Sequence, residues 1–198
     1  MMEEEKREFE EVRVGERIKE LREKKGLSLK GLSELTGFST ALLSQMENHL
    51  VSPSLGTIIK LAKAFEVRVG DLLGETKGEP FTIVRKDERK RVSRFASKDG
   101  VKYGYSYESL GFEKKDRHME PFIVTLEPAT VPTTKTSVHE GEEFIFVLEG
   151  EMEVILGNHT DVLYPGDSIY YDSTIPHRVQ CHKDKITKIL AVLYTSIP

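Results

Sequence analysis

Cysteine is almost absent from this 198-residue sequence. The single thiol, Cys181, excludes an internal disulfide and a cysteine-based zinc cluster, which suits a chain working in a reducing cytoplasm. Long apolar runs are missing as well. No stretch approaches the ~20 residues that span a bilayer. The first residues, Met1-Met2-Glu3-Glu4-Glu5, are acidic where a secretion signal is basic and then apolar, so neither export nor membrane insertion is expected. An excess of basic charge is also lacking. With a net charge of -4, any contact with nucleic acid must come from a local surface rather than a uniformly basic coat. No solenoid-type repeat is visible.

What is present changes character near residue 78. From Val14 to Leu73 the apolar residues recur at helical spacing: Val14, Ile18, Leu21; Leu29, Leu32, Leu35; Leu42, Leu43, Met46; Leu55, Ile58, Ile59, Ala62, Phe65. Punctuation separates these runs into short helices. Gly26 can close the first, Ser28 can cap the second, Gly37 with Ser39 reads as a stop and a new cap, and Pro53-Ser54 opens the fourth. Val69 to Leu73 adds a fifth turn. The stretch Gly74 to Pro80, with two glycines, a proline and charges, suits an exposed linker.

After Pro80 the apolar runs become short and turn-bounded: Phe81 to Val84, Tyr103 to Tyr107, Phe122 to Leu126, Phe144 to Leu148, Met152 to Leu156, Ser168 to Tyr171 and Ile186 to Tyr194. That pattern predicts a β-sandwich or barrel. Glu149-Gly150 reads as a hairpin turn and Gly157-Asn158 as the start of another connection. The expected layout is a helical domain with a charged N-terminal extension over 1–74, a linker over 75–80 and an all-β domain over 81–198. The Glu3 to Glu11 run is read as a solvated helix or a frayed tail and is given no function.

The segment Leu27 to Asn48 encodes two short helices around a glycine-containing turn, a helix-turn-helix. With the five-helix rhythm and the ending Ser44-Gln45-Met46-Glu47-Asn48, residues 14 to 73 resemble the phage-repressor (XRE-like) helix-turn-helix family. The resemblance implies a third helix that reads double-stranded DNA in the major groove. Leu42, Leu43 and Met46 would take its core face, leaving Ser39, Thr40, Ala41, Ser44 and Gln45 toward the bases. Gln45 can pair bidentately with adenine, and the Thr40 or Ala41 methyl can meet thymine. Asn48 would touch phosphate, with Lys24, Lys25 and Lys30 nearby. Arg22 and Glu47 occupy the places of an ion pair tying the first helix to the third. Leu29 departs from the family, many members carrying a glutamine there. Between Glu11 and Asp71 about ten basic residues face eight acidic ones, so the electrostatic support is thin. The alternative reading is a helical module for dimerisation or protein contact.

Two further segments, Ser137 to Gly150 and Tyr164 to His177, resemble the two cupin motifs in order and spacing. The resemblance implies a small double-stranded β-barrel, or jelly-roll, whose lumen collects side chains from neighbouring strands. It brings together His139, Glu143 and His177, a two-histidine, one-carboxylate set suited to Fe, Mn, Ni or Zn. Ser137 stands where the family's first histidine belongs. A metal-free barrel whose histidines only hydrogen-bond is the competing reading. Tyr105 and Tyr107 alternate with Tyr103 and face either the lumen, beside Lys98 or Arg94, or the outside. Asp161, Asp167 and Asp172 are read as turn formers; His118, His159 and His182 as surface residues; Cys181 as either a packed thiol or a sensor.

Two functions follow from these resemblances. One is a homodimeric transcriptional regulator that binds a DNA operator and responds to a small-molecule effector in the barrel, Ser137, Tyr105 and Tyr107 lining the pocket. The other is a non-haem iron oxygenase, since the layout is also similar to that of hydroxypropylphosphonate epoxidase. Against the enzyme, the lysine which that protein extends from its helical domain falls here at Gly26, with Lys25 beside it. The DNA-facing residues favour the regulator.

Overall fold

The computed structural model describes residues 14–51, 53–73, 78–92, 105–128 and 136–194. The charged N-terminal run, residues 75–77 of the linker, and Tyr103, Lys98 and Arg94 lie outside these residues. Five helices come first: α1 (Val14–Lys24), α2 (Leu29–Thr36), α3 (Thr40–Glu47), α4 (Leu55–Phe65) and α5 (Val69–Leu72). Three begin on serine, whose hydroxyl accepts an otherwise unpaired amide of the first turn: Ser28 from Gly31, Ser39 from Leu42 and Ser54 from Thr57. Gly26 and Gly37 turn the chain at φ of 66° and 70°, a region that costs an L side chain energy.

The helical core gathers Ile18, Leu32, Leu43, Ile58, Leu61 and Phe65, all essentially inaccessible. Leu35 corrects the helical spacing drawn from sequence, since it is 60% exposed. The buried stripe of α2 runs instead from Leu32 to Thr36, whose hydroxyl donates to the Leu32 carbonyl at 2.7 Å and so can be buried without loss. Helices α1 and α3 meet closely. A β-carbon on Gly15 would stand 2.3 Å from the Met46 carbonyl oxygen. Gly15→Ala is therefore expected to destabilise the helical domain by about 1–3 kcal/mol through overpacking, read as a lowered melting temperature; unchanged melting would mean that the contact yields freely.

The β domain contains β1 (Lys90–Val92), β2 (Tyr105–Ser109), β3 (Met119–Leu126), β4 (Glu142–Glu149), β5 (Met152–Leu156), β6 (His159–Leu163), β7 (Ser168–Asp172), β8 (His177–Cys181) and β9 (Thr187–Tyr194). They form a six-stranded sheet ordered β1-β2-β3-β9-β4-β7 and a three-stranded sheet ordered β6-β5-β8. All named pairings are antiparallel. Strict alternation in β3, β4 and β9 sends Phe122, Val124, Ile145, Val147, Ile189 and Ala191 inward.

Several expectations change here. Phe81 to Val84 is not a strand, and Phe81 and Ile83 are exposed. Glu149-Gly150 is not a hairpin turn: β4 and β5 belong to different sheets. A register shift at Val147/Glu149 and Gly150 at φ of 82° swing the chain across. Gly157-Asn158 does close a two-residue hairpin, with Leu156 opposite His159. Asp161 sits within a strand; Asp167 serves a turn by accepting from the Tyr164 amide at 2.9 Å, and Asp172, the last residue of β7, opens one through its carbonyl, which accepts from the Ile175 amide at 3.1 Å.

Candidate functional site

On α3, Leu43, Met46 and Glu47 point into the core, while Thr40, Ala41 and Gln45 are exposed and Ser44 is half-buried. Ser39 is exposed, but its oxygen caps the helix, which leaves its proton free to donate. Asn48 has a local task that sequence reading missed. Its side-chain amide donates to the Ser44 carbonyl at 2.8 Å and closes the last turn. Leu42 is half-buried, packed against the core as expected and also lining a cavity described below. Lys25 is engaged by Glu66 at 2.7 Å, whereas Lys24 and Lys30 are exposed.

The helix is held in place by an ion pair. Arg22 Nε donates to Glu47 Oε1 at 2.6 Å, its Nη2 to Oε2 at 2.9 Å and its Nη1 to the Leu27 carbonyl at 2.9 Å. The hydrogen bond and charge of Glu47 raise the guanidinium pKa further against the opposing effect of burial. One side chain thus fastens the end of α1, the turn before α2 and the last turn of α3.

In the barrel, His139, Glu143 and His177 converge as the motifs imply, all three buried and with their ligand atoms within 4.8 Å of one another. Glu143 comes from β4 and His177 opens β8. His139 lies in the loop just before β4, which is pinned by its amide on the Ser173 carbonyl at 3.0 Å. Glu143 Oε1 lies 2.9 Å from His139 Nε2 and 3.6 Å from His177 Nε2. Two ligand atoms each ~2.1 Å from a common ion stand roughly 3.0–3.4 Å apart, so the spacing suits a divalent metal.

The second nitrogens strengthen that fit. His139 Nδ1 lies 3.1 Å from the Glu140 carbonyl and His177 Nδ1 2.8 Å from the Ile175 carbonyl. Such contacts place the proton on Nδ1 and turn the Nε2 lone pair toward the shared point. His139 Nε2, although close to Glu143, lies outside hydrogen-bond geometry and is a buried atom without a partner. That is the condition of a ligand aimed at an ion rather than at its neighbour. Tyr171 donates to the remaining carboxylate oxygen, Glu143 Oε2, at 2.5 Å. Sequence reading missed this tyrosine, which only the β4–β7 register sets opposite Glu143.

Electrostatics follow the geometry. Burial works against the charged His139 ring, but Glu143 and the Glu140 carbonyl outweigh it and hold the pKa above its ordinary value. For His177 burial prevails and the pKa falls. Burial would raise Glu143, yet His139, Tyr171 and His177 together hold it below the usual range.

Ser137 pairs its backbone with His177 in both directions, at 2.7 and 3.0 Å, and lines the space beside the site. Tyr105 and Tyr107 also face that space, which resolves the two faces left open by their alternation. Their rings stack 6.3 Å apart, and Tyr105 donates to the Val179 carbonyl at 2.9 Å. Burial raises both phenols, so they stay protonated donors. His118 and His159 are exposed, but His182 is half-buried with Nδ1 3.4 Å from Glu153. Cys181 is partly buried in β8, and that burial raises its thiol pKa, which argues for the packed reading.

The cavity, of about 820 Å³, is not confined to the barrel. Its other wall is helical: Ser39, the cap of α3, with Ala41, Leu42 and Gln45 of that helix, and Leu55, Gly56 and Lys60 of α4. Gly26 and Lys25 take no part, so a lysine of the helical domain does reach the cavity, from an unexpected position. Sequence alone gave no sign of Lys60 or Gly56.

Residues 18–72 match the helix-turn-helix family profile and residues 122–193 the cupin domain profile. The transcriptional regulator PuuR of Escherichia coli is 26% identical over 179 residues, 89% of this chain and 92% of that protein. SinR of Bacillus licheniformis, also a helix-turn-helix transcriptional regulator, is 31% identical over 108 residues, 54% of this chain and 97% of its own length. The (S)-2-hydroxypropylphosphonic acid epoxidase of Streptomyces wedmorensis is 28% identical over 190 residues, covering 89% of this chain and 93% of the enzyme. Among solved structures, an HTH_3 family transcriptional regulator from Vibrio cholerae superposes with a TM-score of 0.63 at 27% identity, over 93% of this chain and 96% of that one.

Proposed function

Since the chain belongs to the helix-turn-helix transcriptional regulators and carries a cupin domain behind its DNA-binding module, we propose that it is a cytoplasmic homodimer whose operator affinity is set by a small molecule bound at the barrel. The observation that carries this reading is the pairing of an anchored, polar-faced α3 with a buried two-histidine, one-carboxylate site in one chain. Ser39, Thr40, Ala41, Ser44 and Gln45 read bases, and Asn48 contributes at the phosphate backbone through the amide hydrogen it does not give to the Ser44 carbonyl, or by ordering the last turn. His139, Glu143 and His177 hold a divalent metal. Such an ion, when bound, supplies Lewis acidity toward an oxygen of the effector. The chain's own residues do the rest: Tyr171 orients Glu143, the backbone carbonyls fix both imidazoles, and Tyr105, Tyr107 and Ser137 shape the pocket.

Gln45→Ala is expected to weaken specific operator binding by about 1–3 kcal/mol and to relax preference at one position per half-site, with non-specific binding nearly unchanged. Titration against operator and scrambled duplex checks this, and equal loss on both would make Gln45 a scaffold residue.

Dimerisation follows from the short reach of a single helix-turn-helix, since paired domains ~34 Å apart read a usable palindrome. An apolar strip on the outer face of β4, β7 and β9, including Phe144, Tyr170, Val192 and Tyr194, supports a barrel-to-barrel contact. Light scattering at micromolar concentration should give twice the chain mass; a monomer with and without DNA would contradict the assignment.

The second reading, a metal-dependent oxygenase, draws on the epoxidase relative and on the same three ligands. Gly26 no longer counts against it, because Lys60 stands in the cavity. The regulator remains the better reading because the exposed residues of α3 are small and polar, as groove contact requires.

A further inference from the structure

The cavity has two owners. One wall is the barrel site, and the other is the face of α3 expected to read DNA, with Ala41, Leu42 and Gln45 on it. The domains touch around it. A β-carbon on Gly56, in the first turn of α4, would lie 2.7 Å from His139 Cδ2 and 3.4 Å from Ser137 Cβ, and Lys63 pairs with Glu140 at 2.5 Å. A cavity of about 820 Å³ is equivalent to a sphere roughly 12 Å across, whereas seating a helix in the major groove brings a whole duplex, with a groove alone ~12 Å wide, against that same face. With the barrel standing there, DNA cannot reach Gln45.

The lining also says what could fill the space. Lys60 projects from α4 with its ammonium 5.2 Å from the centre of the Phe38 ring and no carboxylate partner among the described residues. Among the described lining residues Glu143 is the only carboxylate, and it accepts from Tyr171 while lying beside His139 and His177. The hydroxyls of Tyr107 and Ser137 add further donors. Such a site favours negative charge.

We propose that a small organic anion binds between the domains, spanning Lys60 and the barrel site, and that it competes with operator DNA by holding α3 against the barrel. This rests on the regulator reading and adds to it the class of effector and the sign of its effect: the ligand releases DNA. Gly56 is the residue that permits the closed contact, since any side chain there meets His139.

Two variants test the exclusion without knowing the ligand. Gly56→Leu forces the domains apart while leaving the exposed face of α3 untouched, and operator affinity should rise about tenfold, within the range of ordinary coupling between sites. The pair Lys63→Cys and Glu140→Cys, in a Cys181→Ser background, replaces the ion pair across the contact without touching Gly56, and a short bis-thiosulfonate reagent joins the two thiols reversibly. Cross-linking should abolish operator binding and reduction should restore it. The ligand class is tested by thermal shift with acetate, succinate and citrate against ethylenediamine and glycerol. A carboxylate should raise the melting temperature and weaken operator binding, and Lys60→Gln should remove both effects. Wild-type protein that binds an operator, with a locked form that binds it equally well, overturns the proposal and leaves the regulator standing. A panel in which no carboxylate acts, or in which the amine acts as strongly, overturns the ligand class. Wild-type protein that binds no DNA in any form removes both the proposal and the reading beneath it.

Discussion

Replacing Arg22 by alanine is expected to lower the stability of the helical domain by about 3 kcal/mol, the low end of the cost of breaking a buried ion pair, because one edge of the guanidinium reaches solvent. The loss is not that of the attraction alone. Glu47, whose side chain is only 5% exposed, would keep its carboxylate without the two donors at 2.6 and 2.9 Å, and the Leu27 carbonyl would lose its partner as well. For a domain of this size that corresponds to a melting temperature lower by roughly 12 °C or more. Specific DNA binding should fall at temperatures where the domain is still folded, since the same pair sets where α3 ends relative to α1. The double variant Arg22→Leu with Glu47→Leu is the informative control, as it removes both charges and should recover much of the stability. Calorimetry of the single and double variants checks this. A single variant that melts with wild type would mean that solvent compensates Glu47 fully.

Loss of metal is the second large effect. Glu143→Ala removes the ligand between the two imidazoles and is expected to leave the purified protein without stoichiometric metal and without response to effector, while operator binding persists because no part of α3 depends on that carboxylate. Tyr171→Phe gives the graded version. It keeps all three ligands and removes only the 2.5 Å hydrogen bond to Glu143 Oε2, so affinity for metal should fall about 10–100-fold. Elemental analysis of both variants, with operator binding in the presence and absence of chelator, decides the matter. Wild-type protein that carries no metal and is indifferent to chelator would make the three side chains hydrogen-bonding partners of an organic ligand only.

The helical domain was legible because its signals are local. Serine caps, glycine stops and apolar spacing act within one or two turns, and the five helices appear where those signals stand. Where they failed, the cause was tertiary. α4 ends on Glu66 at φ of 52°, a left-handed cap on a residue that gives no warning of it, secured by Lys25 from 41 residues away. Leu35 carries an apolar side chain at helical spacing but lies beyond the neighbouring helices.

In the barrel, strands with a buried apolar face were visible, whereas β6 (His-Thr-Asp-Val-Leu) and β8 (His-Arg-Val-Gln-Cys) were not, because a mostly polar strand at a barrel rim has no alternation to read. Residue spacing also cannot say which sheet a strand joins, so Glu149-Gly150 passed for a hairpin.

The ligands of the candidate metal site were legible through the two motifs, but their supports were not. Tyr171 becomes meaningful only once β4 and β7 are in register, and the backbone carbonyls under His139 and His177 leave no trace in side-chain identity. Least legible of all was the meeting of the domains. Nothing in the order of residues relates Gly56 to His139 or Lys60 to the barrel, and the recognition helix gave no hint that its exposed face also closes a cavity.

Sequence-specific reading of DNA by this chain is tested most directly by incubating the purified full-length protein with sheared genomic DNA, recovering the bound fragments and sequencing them. A small set of enriched sites is expected, each with two inverted half-sites about one helical turn apart, with loss of that enrichment in Gln45→Ala. Fragments recovered in proportion to their abundance, with no shared sequence, would contradict it.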